Sequence, residues 1–379
     1  MKILHTADIH LGRQFFGISL EDDHAAVLDQ IVETLRLNAV EVLVIAGDIF
    51  DRAAPPTSAV RQFNQFLARV AQETNAAIVM IAGNHDSGDR IAAMSILPDP
   101  ERVLIRGVAE AVEPPLLLAD GHGKVAFSAL PFSHEYAARE AFSDASISSP
   151  EDVLRAQLAA ARSAVPQGAR WVVTAHAFVA GGDASEAERA LTRVGGIETV
   201  PAEAFDGAHY VALGHLHRPQ TAGADHVRYC GAPLAFGFDE AGAEKSMTLV
   251  DLDGDGAVQI ERIAFAPRRG VRVLTGTLAE LVAGAPSDDF VKAVLTDETP
   301  RIEPMKRLRE VYPNACQLAY ARDQRAPETK SAFEPARQAR PIDMIGDFLD
   351  TVRGAGLDDD EAKVVAAALH GIETKEQSA

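Results

Sequence analysis

Five short clusters in the sequence carry side chains able to bind a cation or move a proton: Asp8 and His10; Asp48 and Asp51; Asn84 and His85, followed by Asp86; His176; and His215 and His217. In an extended segment residues i and i+2 face the same side, so Asp8 and His10 can point into one site, as can His215 and His217. A glycine precedes each of Asp48, Asn84 and His215, where the backbone must turn sharply or approach a neighbour closely. No cluster contains cysteine. Cys230 and Cys316 are the chain's two cysteines and stand far apart, which excludes a thiolate zinc site and a disulfide framework. An oxygen-and-imidazole donor set suits Mn²⁺, Fe²⁺ or Zn²⁺. The other histidines, His5, His24, His122, His134, His209, His226 and His370, lack such neighbours and read as packing or surface residues.

Each cluster follows a run rich in Ile, Val and Leu, at 2–6, 41–46, 76–82, 171–175 and 210–213, and these runs read as buried strands. Helical patterns near 22–37 and 57–72 separate the first three, the second opened by Thr57 or Ser58 as N-cap. Alternating strands and helices build a parallel sheet, and in such sheets ligands gather at the carboxyl ends of the strands. The five clusters are therefore expected to converge. Strands near 102–106, 124–129, 226–230, 246–251 and 257–263 read as a meander, with Asp253-Gly254-Asp255-Gly256 as a hairpin turn. The expected fold class is α/β: a layered β-sandwich flanked by helices, a small α/β capping domain and a C-terminal helical hairpin.

The domain boundaries follow from changes of pattern: 1–266 for the sandwich, 267–325 for the capping domain, 326–340 for a polar linker with Pro327 and Pro335, 341–372 for the hairpin and 373–379 for a tail. Ile342, Ile345, Phe348, Leu349 and Val352 recur at helical spacing, and Asp358 with Glu361 caps a second helix bearing Val364, Val365 and Leu369. So small a unit needs a surface to dock on.

The chain has 379 residues with 47% hydrophobic content, which supports globular domains and excludes wholesale disorder. No apolar run reaches the ~18 residues of a membrane span, and the N-terminal residues leave no room for a signal peptide, so a cytoplasmic protein is expected. The net charge of −19 argues against a simple electrostatic nucleic-acid binder. Only 266–340 is basic, with 13 Lys and Arg against 10 Asp and Glu.

The order D-x-H, G-D-x-x-D, G-N-H-D, a lone His and G-H-x-H resembles the calcineurin-like metallophosphoesterases. Residues 3–12, ILHTADIHLG, and 212–218, ALGHLHR, are similar to the SbcD family of bacterial double-strand-break repair nucleases, with His226 to Pro233 and Phe238-Asp239-Glu240 extending the likeness. The resemblance implies two divalent ions, in practice Mn²⁺. One would be held by Asp8, His10, Asp48 and His217, the other by Asp48, Asn84, His176 and His215. A carboxylate has two oxygens and can bridge such a pair, which supports the shared role of Asp48. His85 would serve as general acid or stabilise developing charge, with Asp51 orienting it. The resemblance further implies a 3′–5′ exonuclease on double-stranded DNA ends and an endonuclease on single strands and hairpins. Partners would be an SbcC-type SMC-like ATPase docked on the 341–372 hairpin through its apolar residues, in a heterotetramer built on a homodimer at the nucleoid. No G-x-x-x-x-G-K-[ST] loop occurs, so this chain is expected to bind no nucleotide. Arg268, Arg269, Arg272, Lys306, Arg307 and Arg309 are candidate DNA-backbone contacts.

Two other readings fit parts of the pattern. The run 47–52 resembles the G-D-x-x-D-R of protein phosphatases, which favours a phosphoprotein or cyclic-nucleotide phosphoesterase. Ala53 and Asp86 depart from that pattern. A non-catalytic scaffold tethering DNA ends is the other, against which stands the full set of matched ligands.

Overall fold

The computed structural model describes residues 1–95, 99–185, 188, 192–193, 196–197, 199–324, 345–346, 349, 356–358 and 361–366. Two six-stranded sheets dominate the first unit, Met1–Gln324. The first runs Val258–Ala264, Ser246–Leu252, Lys2–Thr6, Val42–Ala46, Ala77–Ile81, Val103–Arg106; its last four strands are parallel and the first two antiparallel. The second runs Gln220–Ala222, Ala224–Tyr229, Tyr210–Gly214, Arg170–His176, Gly123–Leu130, Leu116–Asp120, with the four inner strands parallel.

The strand sequences dictate the layers. Side chains alternate across a strand, and here both sets are apolar, so both faces are buried. Ile3, Val42, Val44 and Val79 meet Val125, Phe127, Val172 and Ala212 between the sheets. Their sequence neighbours Leu4, Leu43, Ile45 and Met80 face outward onto Val27, Ile31, Phe63 and Val70 of the helices Glu21–Leu37 and Thr57–Glu73. On the opposite side Trp171, Val173 and Val211 pack on Leu154 and Leu158 of the helix Pro150–Ala164. The result is the helix–sheet–sheet–helix sandwich expected from the sequence.

The meander holds in one place and fails elsewhere. Ser246–Leu252 and Val258–Ala264 form the hairpin, its turn closed by Asp253 Oδ1, which accepts from the amides of Asp255 and Ala257, both at 2.9 Å. Val103–Arg106, however, lies parallel to Ala77–Ile81, and Ala224–Tyr229 parallel to Tyr210–Gly214. The short strand Gln220–Ala222 reverses the chain at Gly223 before Ala224, and that reversal restores the parallel direction. The helix Thr57–Glu73 also opens differently. Pro56 is its N-cap, with no side-chain cap bond, because the preceding prolines keep the backbone extended up to Thr57.

Residues 271–320 form three parallel strands, Val271–Gly276, Phe290–Leu295 and Ala315–Tyr320, crossed by the helices Leu278–Val282 and Pro304–Arg309, around a core of their own. Phe290 leaves that core and joins the helical layer of the first sheet. In the second unit, Arg325–Ala379, helical residues include Ile345 and Leu349, half-buried, and 361–366, with Val365 half-buried and Val364 exposed. Asp358 and Glu361 cap the latter by reciprocal bonds of 2.8 and 3.1 Å. Ile342, Phe348, Val352 and Leu369 lie outside the described residues. Among the described residues no helix is long and apolar enough to cross a membrane.

Candidate metal centre

The five clusters meet at one edge of the sandwich. Lys2–Thr6, Val42–Ala46 and Ala77–Ile81 are parallel neighbours in one sheet, so Asp8 and His10, Asp48, and Asn84 with His85 leave the same end. Arg170–His176 and Tyr210–Gly214 are parallel neighbours in the other, and Gly214 pairs with His176. The loops continue the pairing: the amides of Asp8 and His10 donate to the carbonyls of Gly47 and Asp48 at 3.0 and 2.9 Å.

Close approach explains the glycines. A Cβ on Gly83 would sit 2.2 Å from Asp48 Oδ1, and one on Gly214 would sit 1.9 Å from the carbonyl oxygen of Ala46, where the two sheets touch. Asp8, His10, Asp48 and His215 themselves adopt φ of 54°, 51°, 50° and 107°, a region that L-residues avoid unless the surroundings enforce it.

The side-chain atoms then face one another in an arrangement that hydrogen bonding alone does not satisfy. His176 Nδ1 donates to the Ala46 carbonyl at 2.9 Å, so in the neutral ring Nε2 carries a lone pair. That lone pair lies 2.9 Å from Asn84 Oδ1, itself an acceptor, and His215 Nδ1 lies 3.1 Å from the same oxygen. An amide turned the other way would donate to both rings; with Oδ1 inward, the three atoms form a set of cation ligands. His10 Nε2 and His217 Nε2 approach to 3.2 Å, and both Nδ1 atoms are buried without a hydrogen-bond partner. Asp48 Oδ2 stands 3.7 Å from His10 Nε2 and 3.6 Å from His176 Nε2, between the two groups. Ligand atoms of Asp8, His10 and His217 lie within 4.8 Å of one another, as do those of Asp8, Asp48 and His176.

Electrostatics agree. Burial holds His176 down to about 4 and His215 to about 3, and it pushes His10 and His217 well below the ordinary imidazole range, so all four rings are neutral near pH 7. Burial, and then the charge of Asp48, pushes Asp8 well above the ordinary carboxylate range. Crowded carboxylates among neutral imidazoles call for positive charge, and the donor chemistry fits divalent metal ions.

His85 stands beside this cluster. Its Nε2 is 3.9 Å from Asp48 Oδ2 and its amide donates to Asp48 Oδ1 at 2.8 Å. Asp51 adjoins His85 through both its backbone and its side chain. His85 Nδ1 bonds the main-chain carbonyl of Asp51 at 2.9 Å, while the Asp51 carboxylate accepts from Arg13 at 3.2 Å. Asp51 thus meets the ring through its backbone carbonyl, while its carboxylate, beside Arg13, also lies within 4.8 Å of ring nitrogens of His85 and His10.

Several supports escaped the sequence reading. Asp86 accepts from the amides of Ile49, Phe50 and Gly83 at 3.1, 2.9 and 3.0 Å, joining the second and third loops. Lys245, paired with Glu240, donates to the carbonyl of His217 at 3.0 Å, and Glu188 accepts from the amide of His217. Asp86 had a signal, its place two residues after Asn84. Lys245 and Glu188 had none, since they act across long sequence separations on backbone atoms.

The six basic candidates do not form one group. Arg269 pairs with Asp23, donates to Ser19 O at 2.9 Å and stacks on Phe290 at 4.4 Å. It ties the small sheet to the sandwich and is withdrawn as a DNA contact. Arg268 pairs with Asp22 at 2.6 Å, Arg272 with Asp289 at 3.5 Å and Lys306 with Glu303 at 3.2 Å; Arg309 donates to Ala315 O at 3.0 Å. Arg307 is exposed.

Fold and site together define a phosphoesterase: the chain belongs to the calcineurin-like phosphoesterase family, whose pattern matches residues 1–219. Residues 267–353 match the SbcD C-terminal family, described as the type 5 capsule protein repressor C-terminal domain, and the two matches together fit an SbcD-type nuclease subunit. Among solved structures the chain is similar to GAP50, the anchor in the inner membrane complex of Plasmodium. That likeness has a TM-score of 0.40 at 7% identity and covers 84% of this chain and 96% of that one.

Proposed function

We propose that the chain is the nuclease subunit of an SbcCD-type complex, hydrolysing phosphodiester bonds at double-stranded DNA ends in the 3′–5′ direction and cutting single strands and hairpins. Its work would lie in DNA repair, recombination and replication at the nucleoid. The observation that carries the reading is the convergence of His176 Nε2, His215 Nδ1 and Asn84 Oδ1 on one side of Asp48 and of His10 and His217 on the other. Two divalent ions held there, Mn²⁺ in this reading, would activate water and neutralise the phosphate oxygens.

The residues of the chain do the rest. Asp48 holds the two halves of the site together and anchors the His85 amide. His85 Nδ1–H is fixed on the Asp51 carbonyl, which leaves Nε2 for the substrate; with a second proton on Nε2 the imidazolium would protonate the leaving oxygen, becoming neutral, or stabilise negative charge there. Arg13 steadies the Asp51 loop and covers Phe236 at 4.6 Å. Arg268, Arg272 and Lys306 would meet the DNA backbone by exchanging their present ion pairs for phosphates, and Arg307 and Arg309 would join them.

ATP dependence would come from an SbcC-type ATPase docked on 341–372, with two copies of each chain in the complex. Truncation at Arg340 should abolish co-purification with that partner and spare the metal-dependent chemistry. The decisive assay follows end-labelled duplex with Mn²⁺, with EDTA and with Asp48→Ala. Shortening in the first condition alone supports the reading, and hydrolysis of phosphopeptide but not DNA would replace it with the phosphatase alternative.

A further inference from the structure

Next to the metal centre lies an aromatic recess that none of the roles above uses. The loop carrying His10 runs into a two-stranded hairpin in which Gln14 pairs with Ser19 and Phe15 with Ile18, leaving Phe16-Gly17 as its two-residue turn. Phe16 and Gly17 have φ of 48° and 83°. Positive φ at both positions is the turn usually filled by Asn-Gly, and a bulky aromatic in that conformation is an outlier whose retention asks for a role outside the turn. Phe15 is buried, but Phe16 leaves 54% of its surface open, with its ring centroid 5.2 Å from that of Phe238.

Phe16 and Phe238 wall a cavity of about 410 Å³ together with Phe236, Asp239, Lys292 and Gln317. Phe236 connects this cavity to the ligands, its ring 5.2 Å from that of His10 and 5.4 Å from that of His217. Lys292 reaches the cavity from the neighbouring small sheet, beside its strand partner Gln317, and makes no ion pair with any described residue. Arg218 lies 3.6 Å from Asp239 Oδ2 and offsets its charge. The lining thus combines three aromatic rings with a cation, and one of those rings, Phe236, also packs on the rings of His10 and His217.

We propose that this recess receives an unstacked nucleobase next to the phosphodiester being cut, with Phe16 as its stacking platform, Phe238 backing it and Lys292 on the adjoining phosphate. The inference rests on the nuclease reading and adds a substrate requirement: a base at one fixed position, contacted by its face and therefore with little sequence preference.

The test uses the full chain with Mn²⁺ and end-labelled single-stranded oligonucleotides in which one abasic nucleotide is walked through the sequence. With unmodified chain, cleavage efficiency should fall about 5- to 150-fold when the abasic position lies one or two nucleotides from the cut, the range of a lost base–aromatic stack. Phe16→Ala should lower cleavage of the intact strand by a similar factor and erase the positional dip, whereas Phe16→Tyr should keep both near the parent values. A thermal melt confirms that each variant folds. An identical dip in Phe16→Ala, or no dip in the parent, overturns the stacking site while leaving the nuclease reading standing. Failure of the parent to cut these strands while it still shortens end-labelled duplex overturns this inference alone; failure on both substrates overturns the nuclease reading with it.

Discussion

Replacing Asp48 by Asn should change stability in opposite directions with and without metal. The substitution keeps an oxygen for the His85 amide, now bonded at 2.8 Å, and removes one of two carboxylates whose oxygens lie within 4.8 Å of each other. Two such charges repel by about 3 kcal/mol at an effective dielectric near 20. Proton uptake by Asp8, already favoured by burial, relieves part of this. Removing the Asp48 charge should therefore stabilise the metal-free protein by about 1–3 kcal/mol. Unfolding entropy near 2.1 cal/mol/K per residue gives about 0.7 kcal/mol/K across the unit Met1–Gln324, so the gain is a Tm rise of about 1–4 °C in EDTA. Mn²⁺ at a hundred times its Kd should raise the parent by about 2.7 kcal/mol per site, or about 4 °C, because it binds the folded state. Asp48→Asn loses the ligand shared by both sites and should gain little. Melting curves of both proteins in EDTA and in Mn²⁺ should therefore cross. A variant less stable than the parent in EDTA, or equal shifts with Mn²⁺, would refute the reasoning that Asp48 is a destabilising charge held for cations.

Gly83→Ala places a methyl 2.2 Å from Asp48 Oδ1, so Mn²⁺ binding measured calorimetrically should drop at least tenfold, whereas Gly214→Ala, 1.9 Å from the Ala46 carbonyl, should lower unfolding stability by more than ~3 kcal/mol in urea. His85→Ala should lower kcat by about 10²- to 10⁴-fold with metal affinity unchanged; normal turnover would remove it from the chemistry. Away from the site, Asp120 accepts from Arg170 at 2.5 Å, and that partner holds its carboxyl far below the usual range. The unfolded chain then takes up the proton first as pH falls, so the stabilisation is complete above about pH 4 and fades below it. Asp120→Asn should be about 1.5–3 kcal/mol less stable than the parent at pH 7 and at pH 5, with a smaller gap at pH 3.

The ligands were legible because each sits where an apolar strand stops, and strand ends are fixed by the same hydrophobic runs that build the sheets. Ile3 and Leu4, or Val42 and Leu43, bury opposite faces, so their runs could not be surface strands and their carboxyl ends had to lie together. Direction was harder to read. Nothing in 224–229 announces that Gly223 has already reversed the chain, and parallel pairing with Tyr210–Gly214 follows from that one turn. The packing role of Arg269 was equally hidden. A basic residue near Pro267 looks solvent-facing until Asp23 and Phe290, distant in sequence, are seen to enclose it.

What the sequence could not convey is why so many unfavourable features share one place. Asp8, His10, Asp48 and His215 hold left-handed backbone angles, two carboxylates are crowded in a buried pocket, and acceptor atoms of His176 and Asn84 meet without a hydrogen between them. Each feature is destabilising by itself. They persist because the strands beneath them are rigid and fully buried, and because Asp86, Lys245 and Glu188 fix the loops through backbone amides and carbonyls. A divalent cation would relieve the last two of these penalties at once, turning repulsion into coordination. It would also reverse the local potential in a chain of net charge −19, the condition for a polyanion to approach this edge of the sandwich at all.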